Sequence, residues 1–309
     1  MMLVSIITPS LNQAPFIRRT MESVFLQDYE HLEYLVVDGG SSDGSLEIIK
    51  ENAGRLSWWV SEPDAGQADA INKGLAHSRG DIVAWLNSDD CLLPGAIASV
   101  VRIFQDHPDA VLVYGNMQAV DESDRITNIM TYPQLTLEDL LCFQIIGQPA
   151  VFLQRRAVSE VGGLDTGYHL LLDHQLWIKL ARVGPIVHAD QTWAAARYHP
   201  GAKNRALAGH FGREAFRILD WASRDAGLAP ILQRVEARAR ASAHRLNARY
   251  LLDAGRPQEA LRAWRQALVT HPGTAFARTN LLVSALLELA GLGQIRKGIL
   301  RRRQKRLSR

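Results

Sequence analysis

Short apolar runs alternate with amphipathic stretches over the first two thirds of the chain. The runs have the length of buried strands and are, in order, "LVSIIT", "LEYLVV", "LSWWVS", "DIVAWL" and "AVLVYG". Stretches between them, such as Pro15 to Leu26 and Pro94 to Gln105, have the apolar spacing of helices. Continuous apolar strands that alternate with helices are typical of a parallel sheet covered on both faces. The pattern therefore predicts an α/β domain built on a mainly parallel, Rossmann-like sheet.

Polar clusters directly follow several of these strands. They are "TPSLN" after the first strand, "DGGSSDGS" after the second and "NSDD" after the fourth. In sheets of this kind, ligands bind beyond the carboxyl ends of the strands. We therefore expect a binding cleft at that edge of the sheet.

The pattern changes after about residue 215, where helical spacing continues without strand-like runs. The stretch "ARYLLDAGRPQEALRAWRQALVTHP" has Gly255 between two helical segments and Pro272 after the second, and it resembles a tetratricopeptide hairpin. The last residues, "IRKGILRRRQKRLSR", are strongly basic. We therefore expect an α/β domain over residues 1–215, a helical, tetratricopeptide-like region over 216–290 and a basic tail over 291–309.

Composition narrows the class of protein. The 309 residues are 47% hydrophobic and include two cysteines, Cys91 and Cys142, which form neither a disulfide framework nor a metal-ligand spacing. The N-terminus has neither the basic region nor the cleavage site of a signal peptide, and no apolar run reaches the ~20 residues of a membrane span. These features predict a cytoplasmic protein.

The net charge of +3 conceals a division along the chain. Residues 1–215 carry 16 Lys and Arg against 26 Asp and Glu, a balance of −10, whereas residues 216–309 carry 19 against 6, a balance of +13. Such asymmetry indicates regions with different partners. The basic tail is either a solvated end or a contact for an anionic membrane surface, and nothing else in the chain supports nucleic-acid binding.

The turn Asn87–Ser88–Asp89–Asp90 gives the strongest chemical signal. Two adjacent carboxylates after a buried strand repel each other and are costly to desolvate. A divalent cation, Mn²⁺ or Mg²⁺, prefers carboxylate oxygens, commonly binds substrate phosphates as well, and would relieve that repulsion. The alternative is a cap for the helix after Pro94, for which one carboxylate suffices.

The other polar clusters each have a structural alternative. Asp38 and the glycines after it form either a ligand loop or a polar turn, and "TPSLN" either contacts a nucleoside or only ends its strand. Asp69 and Lys73 either line a cleft or form an i,i+4 surface ion pair. Asp173 is either a functional carboxylate or a helix cap, and His199 is either a ligand or a surface histidine.

Five segments, taken in order, resemble the inverting family 2 glycosyltransferases, which have the GT-A fold. The segments are "SIITPSLNQAPFIRRTMESVFLQDY", "LVVDGGSSDGS", "DAINKGLAHSRGDIVAWLNSDD", "GQPAVFLQRRAVSEVGGLD" and "LLDHQLWIKLA". Together they cover about residues 2–205, so the resemblance concerns the α/β domain and not the helical region.

The resemblance implies a role for each motif. Asp173 would deprotonate the acceptor hydroxyl, and the metal would contact Asp89 and Asp90, with His199 as a further ligand. The donor-binding residues that it implies are Thr8, Pro9, Ser10, Asp38, Asp69, Lys73, Asn87, Ser88 and Asp89. Two positions depart from the family pattern: Asn87 replaces the first aspartate of the Asp-X-Asp motif, and Leu172 precedes Asp173 where many members carry a second acid.

These features predict a metal-dependent, inverting hexosyltransferase that moves a sugar from a nucleoside-diphosphate sugar, with uridine diphosphate favoured, to a glycan or lipid-linked acceptor. Cell-surface polysaccharide synthesis is the expected context, and the basic tail would allow peripheral contact with the inner face of the cell membrane. The alternative is a catalytically inactive GT-A-like scaffold that binds partners through its helical C-terminus. A dinucleotide oxidoreductase is disfavoured because "TPSLNQ" is not a G-x-G-x-x-G loop.

Overall fold

A computed structural model describes residues 1–199, 201 and 207–292. The chain divides into two compact units. The first consists of residues 1–135 and 146–197, and the second of residues 136–145 and the chain from 198 onward. The predicted boundaries at residues 215 and 290 stay predictions.

The first unit is built on one nine-stranded sheet in the order β3-β2-β1-β4-β8-β6-β9-β5, with β7 beside β6. Strands β3, β2, β1 and β4 are parallel, as predicted, whereas β8 runs antiparallel to both β4 and β6. Beyond β8 the sheet is mixed, because β9 is parallel to β6 and antiparallel to β5. The strands are β1 (Val4–Ser10), β2 (Leu32–Asp38), β3 (Trp58–Ser61), β4 (Ile82–Trp85), β5 (Cys91–Leu92), β6 (Leu112–Val120), β7 (Ile126–Met130), β8 (Val151–Gln154) and β9 (Ile186–Arg197).

The helices follow the predicted alternation in the first unit and continue without strands in the second. Helices α5 and α8 to α12 belong to the second unit. In chain order the helices are α1 (Ile17–Phe25), α2 (Ser45–Glu51), α3 (Gln67–His77), α4 (Ala96–Asp106), α5 (Leu137–Leu141), α6 (Arg155–Glu160), α7 (Leu172–Val183), α8 (Phe211–Arg224), α9 (Ala229–Asp253), α10 (Pro257–Thr270), α11 (Pro272–Phe276) and α12 (Thr279–Leu289).

The central strands are apolar because both faces of the sheet are covered. Every residue of β1 is buried, and so is almost every residue of β2 and β6. The amphipathic helices α1 and α4 bury one face each against this core, with Ile17, Met21 and Ile97 fully or almost fully buried. Parallel strands with both faces covered carry no polar alternation, which is why the apolar runs were continuous in the sequence.

In the second unit, α9 and α10 pack through small side chains. Ala248 on α9 and Ala260, Trp264 and Ala267 on α10 are buried in one cluster. Gly255 has a φ of +72°, so it permits the left-handed turn after α9, and Pro257 opens α10. A tetratricopeptide identity stays a prediction, and the basic tail from residue 293 lies outside the described residues. Within the described residues, no helix is both long enough and apolar enough to cross a bilayer.

Glu33 on β2 ties the start of β1 to the turn before β4. Its buried carboxylate accepts hydrogen bonds from the Ser5 hydroxyl, the Arg79 and Gly80 backbone N–H groups, and Arg79 Nε at 3.1 Å. Burial alone would raise the pKa of Glu33, but these hydrogen bonds lower it overall. The ionised carboxylate therefore stabilises the folded chain.

We expect Glu33→Gln to lower the free energy of unfolding by about 1–3 kcal/mol at neutral pH, because an amide cannot accept all of these hydrogen bonds. The pKa of Glu33 is lower in the folded chain than in the unfolded chain. The loss should therefore be full above about pH 4.3 and should vanish as the pH falls through the folded-state pKa. Urea unfolding at a series of pH values measures it.

Glu22→Gln, on the exposed face of α1, provides the matched control. It should change the free energy of unfolding by less than about 0.5 kcal/mol at every pH. The stabilising role of the ionised Glu33 carboxylate would be contradicted if both variants lowered the free energy of unfolding equally. It would also be contradicted if the loss caused by Glu33→Gln grew at acidic pH.

Candidate functional site

The ends of four strands meet at one edge of the sheet in the first unit. Ser10 at the end of β1 pairs with Asp38 of β2, which pairs with Ser61 of β3. Beside them, Trp85 ends β4 opposite Ile7 of β1. The polar clusters that follow these strands therefore lie together, as the parallel arrangement predicted.

Asp38 organises the loop that follows β2. Its carboxylate is fully buried and accepts hydrogen bonds from the backbone N–H groups of Gly40 at 3.2 Å and Ser41 at 2.9 Å. The hydroxyls of Ser41 and Ser61 also donate to it. The carboxylate is thus well supplied with hydrogen-bond donors from the protein, and its predicted role in donor binding stays a prediction.

The loop after β1 is tied to the loop after β2 by reciprocal hydrogen bonds. The Asn12 N–H donates to the Ser41 hydroxyl at 2.8 Å, and the Ser42 N–H donates to Asn12 Oδ1 at 2.9 Å. Two residues after Asn12, the Ala14 N–H donates to Asp43 Oδ2 at 2.9 Å. These bonds fix the two loops as one rigid wall of the site.

The hydroxyls of Thr8 and Ser10 differ in their hydrogen bonding. Thr8 Oγ1 is buried and lies 2.9 Å from the hydroxyl of Tyr34, whose pKa is raised by burial. Ser10 Oγ is also buried, yet it has no hydrogen-bond partner among the described residues. Buried hydroxyls usually have a partner, so Ser10 has an unfilled bond at this edge. Pro9 lies between them in β1 and pairs with Val37.

The amide of Asn87, which replaces the first aspartate of the Asp-X-Asp motif, makes hydrogen bonds that require both its oxygen and its nitrogen. Its Oδ1 accepts from Gln67 Nε2 at 2.7 Å, and its Nδ2 donates to Asp90 Oδ2 and to Gln148 Oε1, both at 3.0 Å. An aspartate could not make the two donations and would place a third negative charge beside Asp90. The departure from the family pattern is therefore built into the local hydrogen bonding, and Ser88 is buried within the same turn.

Arg197, the last residue of β9, holds the acidic turn. Its backbone N–H donates to Asp90 Oδ1 at 2.9 Å, and its Nε donates to the Asp89 carbonyl at 3.0 Å. The guanidinium is almost fully buried and forms an ion pair with Asp124 at 2.6 Å. On the other side of the turn, the Thr20 hydroxyl donates to the Asp90 carbonyl at 2.7 Å.

The two adjacent carboxylates have different environments. Asp90 is buried, whereas Asp89 is only half-buried. Burial, and next the negative charge of Asp89, raise the pKa of Asp90 well above its ordinary value, although the Arg197 N–H and Asn87 oppose the shift. Asp90 is therefore mainly a buried structural acceptor, and Asp89 is the better placed of the two to carry charge toward a ligand.

Asp173 lies in the first turn of α7, which begins at Leu172. Leu171 occupies the N-cap position, so Asp173 is not the cap, although its Oδ1 accepts from the His174 N–H at 2.7 Å. One turn further on, the Trp177 ring stacks on Trp85 with centroids 5.3 Å apart. That stack fixes the start of α7 relative to the end of β4, two residues before Asn87.

The remaining predicted residues are placed as follows. Asp69 accepts from the Ala65 N–H at 3.0 Å and pairs with Lys73 at 3.4 Å, while Lys73 also pairs with Glu62 at 2.9 Å. The surface ion pair is thus present, and donor binding by Asp69 and Lys73 stays a prediction. His199 is buried at the start of the second unit, and its metal role stays a prediction.

The chemistry of the donor set suits a cation that arrives with a ligand. Hard divalent cations are often held by one or two carboxylates together with substrate phosphates. Asp89 is the more exposed of the two adjacent carboxylates, and Asp90 accepts hydrogen bonds from Asn87 and from the Arg197 backbone N–H. In the described part of the chain, no three or more His, Cys, Asp or Glu side chains form a metal cluster. The residues present therefore fit a metal that shares its coordination with a diphosphate.

Sequence reasoning missed Arg197 and Gln148. Arg197 ends the apolar run "TWAAAR", and a buried arginine at such a place requires partners that a sequence does not name. Gln148 acts through Asn87 and through the Trp85 carbonyl, to which its Nε2 donates at 2.8 Å.

Comparison with known proteins adds independent information. The family model "Glycosyl transferase family 2" matches residues 5–160. An uncharacterized glycosyltransferase of Mycobacterium tuberculosis is 30% identical over 58% of this chain and 69% of its own length. Chondroitin synthase of Escherichia coli is 30% identical over 61% of this chain. The chain spans 28% of chondroitin synthase and 36% of an uncharacterized Rickettsia felis glycosyltransferase, so it corresponds to a part of these relatives.

Solved structures show the same architecture. The mannosyltransferase PcManGT from Pyrobaculum calidifontis, in complex with GDP-Man and Mn²⁺, has a TM-score of 0.62 at 22% identity, over 94% of this chain and 86% of its own. Staphylococcus aureus TarS 1–349, in complex with UDP-GlcNAc, has a TM-score of 0.58 at 15% identity, over 90% of this chain and 92% of its own. With the curled α/β sheet, these similarities confirm the predicted GT-A fold followed by a helical region.

We expect Arg197→Met to lower the free energy of unfolding by about 3–5 kcal/mol, because it removes the positive charge beside the buried Asp90 and leaves the half-buried Asp124 without its ion-pair partner. The double variant Arg197→Met, Asp90→Asn should recover part of that loss. In this variant the Asp90 carboxylate, which Asp89 repels once Arg197 is gone, is replaced by a neutral amide. Urea unfolding of the single and double variants measures both effects.

Arg18→Met is the matched control, because Arg18 forms an exposed ion pair with Glu51 at 2.6 Å. Its loss should cost no more than about 1 kcal/mol. A cost at Arg197 no larger than at Arg18 would show that the buried guanidinium does not hold the turn.

Proposed function

The chain belongs to glycosyl transferase family 2, and on that premise we propose that it transfers a sugar from a nucleoside-diphosphate sugar to a glycan or lipid-linked acceptor, with inversion at the anomeric carbon. The observation that carries the proposal is the Asn87–Asp90 turn, held by Arg197 beside the loops that follow β1 and β2. This arrangement gathers a half-buried carboxylate, an unfilled buried hydroxyl and a rigid loop wall at one edge of the sheet.

The donor nucleotide would bind against the loops after β1 and β2. Ser10 Oγ offers an unfilled hydrogen bond there, and the loop amides fixed by Asp38 and Asn12 form a rigid border for a base. A uridine diphosphate sugar is favoured, in line with the UDP-GlcNAc bound to TarS, and the GDP-Man bound to PcManGT gives guanosine as the second candidate.

Asp89 would hold a divalent cation, Mn²⁺ or Mg²⁺, that arrives with the donor diphosphate. When bound, such a cation stabilises the negative charge that the departing nucleoside diphosphate acquires. Asp90 and Asn87 keep Asp89 in place through the turn, and Asp90 and His199 are proposed as further ligands on the family pattern alone. The Mn²⁺ of PcManGT supports the use of a divalent metal.

Asp173 would act as the general base. Its carboxylate would accept the proton of the acceptor hydroxyl while that oxygen forms a bond to the anomeric carbon and the bond from that carbon to the diphosphate oxygen breaks. The Trp85–Trp177 stack packs α7, the helix that carries Asp173, against the end of β4. Attack on the side opposite the leaving group inverts the configuration of the anomeric carbon.

The cellular role is proposed from the relatives. Chondroitin synthase is a polysaccharide-forming enzyme by name, and we extend cell-surface polysaccharide synthesis to this chain as a proposal. A cytoplasmic enzyme whose basic tail contacts the inner face of the membrane would be well placed for a lipid-linked acceptor. The competing proposal, an inactive scaffold, predicts a chain that binds no nucleotide sugar.

Replacement of the base tests the mechanism. We expect Asp173→Asn to reduce the rate of sugar transfer by about 10²–10⁴-fold, the usual contribution of a general base. Its affinity for nucleoside diphosphate in the presence of Mn²⁺ should stay unchanged, because the amide keeps the size of the side chain. Transfer is followed by release of nucleoside diphosphate, and affinity by calorimetry.

Asp109→Asn makes the same chemical change at an exposed position before β6 and should retain full transfer. Transfer by Asp173→Asn at the rate of this control would remove Asp173 from the mechanism.

Replacement of the proposed metal ligand tests the cofactor. A nucleotide at about one hundred times its Kd should stabilise the unchanged protein by about 2.7 kcal/mol. We expect Mn²⁺ to be required for most of that stabilisation, and we expect Asp89→Asn to abolish the Mn²⁺-dependent part. Thermal denaturation with UDP or GDP, with and without Mn²⁺, measures it.

Asp109→Asn again serves as the control, and it should respond to Mn²⁺ like the unchanged protein. If the Asp89→Asn variant is still stabilised by Mn²⁺, Asp89 is not a ligand of the metal. No response to any nucleotide in the unchanged protein would favour the inactive scaffold.

A further inference from the structure

Helix α9 carries a row of arginines along one face. Arg234, Arg238, Arg245 and Arg249, which we call the arginine row, are offset by 4, 11 and 15 residues from the first. At 100° per residue they fall within about 60° of the helix surface, and at 1.5 Å per residue they span about 22 Å. Residues 216–290 contain no lysine, so the positive charge of this region comes from arginines.

The N-terminal half of the row is neutralised within the second unit. Arg234 Nη2 lies 3.0 Å from the Glu138 carboxylate on α5, and Arg238 Nη2 lies 3.9 Å from it. Arg238 Nε also donates to the Cys142 sulfur at 3.0 Å. These two arginines therefore have a protein counter-charge.

The C-terminal half of the row is not neutralised. Arg245 Nη1 donates to the Thr274 carbonyl at 3.4 Å, and the Arg249 guanidinium lies 5.3 Å from the centroid of the Tyr250 ring. Among the described residues, neither arginine forms an ion pair with a carboxylate, and neither does Arg278. The residues that the structure leaves undescribed contain no Asp or Glu.

Arg245 is the charge that most needs a partner. Burial lowers the pKa of its guanidinium, and the like charge of Arg278 lowers it further. A half-buried cation beside a second cation is unfavourable unless an anion binds there. Arginine forks suit phosphate and carboxylate groups, which they bind in a bidentate manner.

We propose that Arg245, Arg249 and Arg278, the arginine site, bind an anionic group of the acceptor, a phosphate or carboxylate carried by a glycan chain. That the bound molecule is the acceptor of sugar transfer rests on the proposed function. That the site binds an anion rests only on the residues of the second unit. The arginine row extends the site along α9, so a chain with repeated negative charges suits it better than a single ion.

Single-stranded nucleic acid is the less suitable occupant. Proteins that bind it place aromatic side chains as stacking platforms for successive bases. The aromatic residue beside the site, Tyr250, instead stacks on Phe211 with centroids 3.5 Å apart. The structure therefore favours a polyanion that is recognised by charge.

Calorimetry of the full chain with two probes tests the proposal. Medium-chain polyphosphate presents phosphates and polygalacturonate presents carboxylates. The probe that binds more tightly identifies which of the two anionic groups the site prefers. We expect the double variant Arg245→Gln, Arg249→Gln to bind the preferred probe at least about tenfold more weakly, because charge-assisted hydrogen bonds are lost.

Arg240→Gln is the matched control. Arg240 lies on the same helix, on the face opposite the row, and it pairs with Glu236 at 2.8 Å. It should bind the probe within about twofold of the unchanged protein, since surface pairs contribute little. Equal affinities for the control and the double variant would overturn the proposal.

Thermal denaturation separates a binding role from a structural one. Arg245→Met should leave the melting temperature unchanged or raise it, because it removes a half-buried charge that lacks a counter-charge. A lower melting temperature would assign Arg245 to structure and overturn the site.

Two further probes identify the partner. Binding of single-stranded DNA, or of phosphatidylglycerol vesicles, that is tighter than either glycan-like probe and depends on Arg245 would overturn the acceptor assignment. Nucleotide binding by the unchanged protein is measured separately, so failure of the proposed function is distinguishable from failure of the arginine site.

Discussion

The buried guanidinium of Arg197 is the contact on which the carboxyl edge of the first unit depends. The acidic turn is clamped at both ends, by β4 before it and by the two-residue strand β5 after it. Strand β5 pairs with β9 so that Cys91 lies opposite Ala195. This register brings the Arg197 backbone N–H to Asp90 Oδ1 and the Arg197 Nε to the Asp89 carbonyl. Without that cation, the repulsion between two adjacent acids would act in a desolvated place.

Much of this arrangement was predictable because parallel strands obey a simple geometric rule. Apolar runs without polar alternation identified strands buried on both faces. Because parallel strands end at the same edge of the sheet, the polar clusters that follow them lie together at that edge. The pairing of Ser10 with Asp38, and of Asp38 with Ser61, follows that rule directly. The segment "LLDHQLWIKLA" has the apolar spacing of a helix with one buried face, and in α7 Leu176, Trp177 and Leu180 are buried.

The division of roles within the site was not predictable, because it depends on contacts between distant residues. Arg197 lies 107 residues from the carboxylate that it contacts, and no spacing rule connects them. Adjacent acids looked alike in the sequence, yet burial makes Asp90 an acceptor for Asn87 and leaves Asp89 half-exposed. The antiparallel β8 was missed for the same reason, since strand direction is set by partners and not by composition.

The charge division at about residue 215 fits the ligands that we propose for the two parts of the chain. A site that holds a diphosphate through a cation must supply carboxylates, and those carboxylates repel any anionic acceptor in the absence of the metal. An acceptor with repeated negative charges therefore needs its own cationic surface outside that edge. Arginines without carboxylate partners on α9 provide one, at the cost of a half-buried charge on Arg245. On this proposal, the acidic balance of residues 1–215 serves the metal-bound diphosphate, and the basic balance of the remainder serves the anionic acceptor.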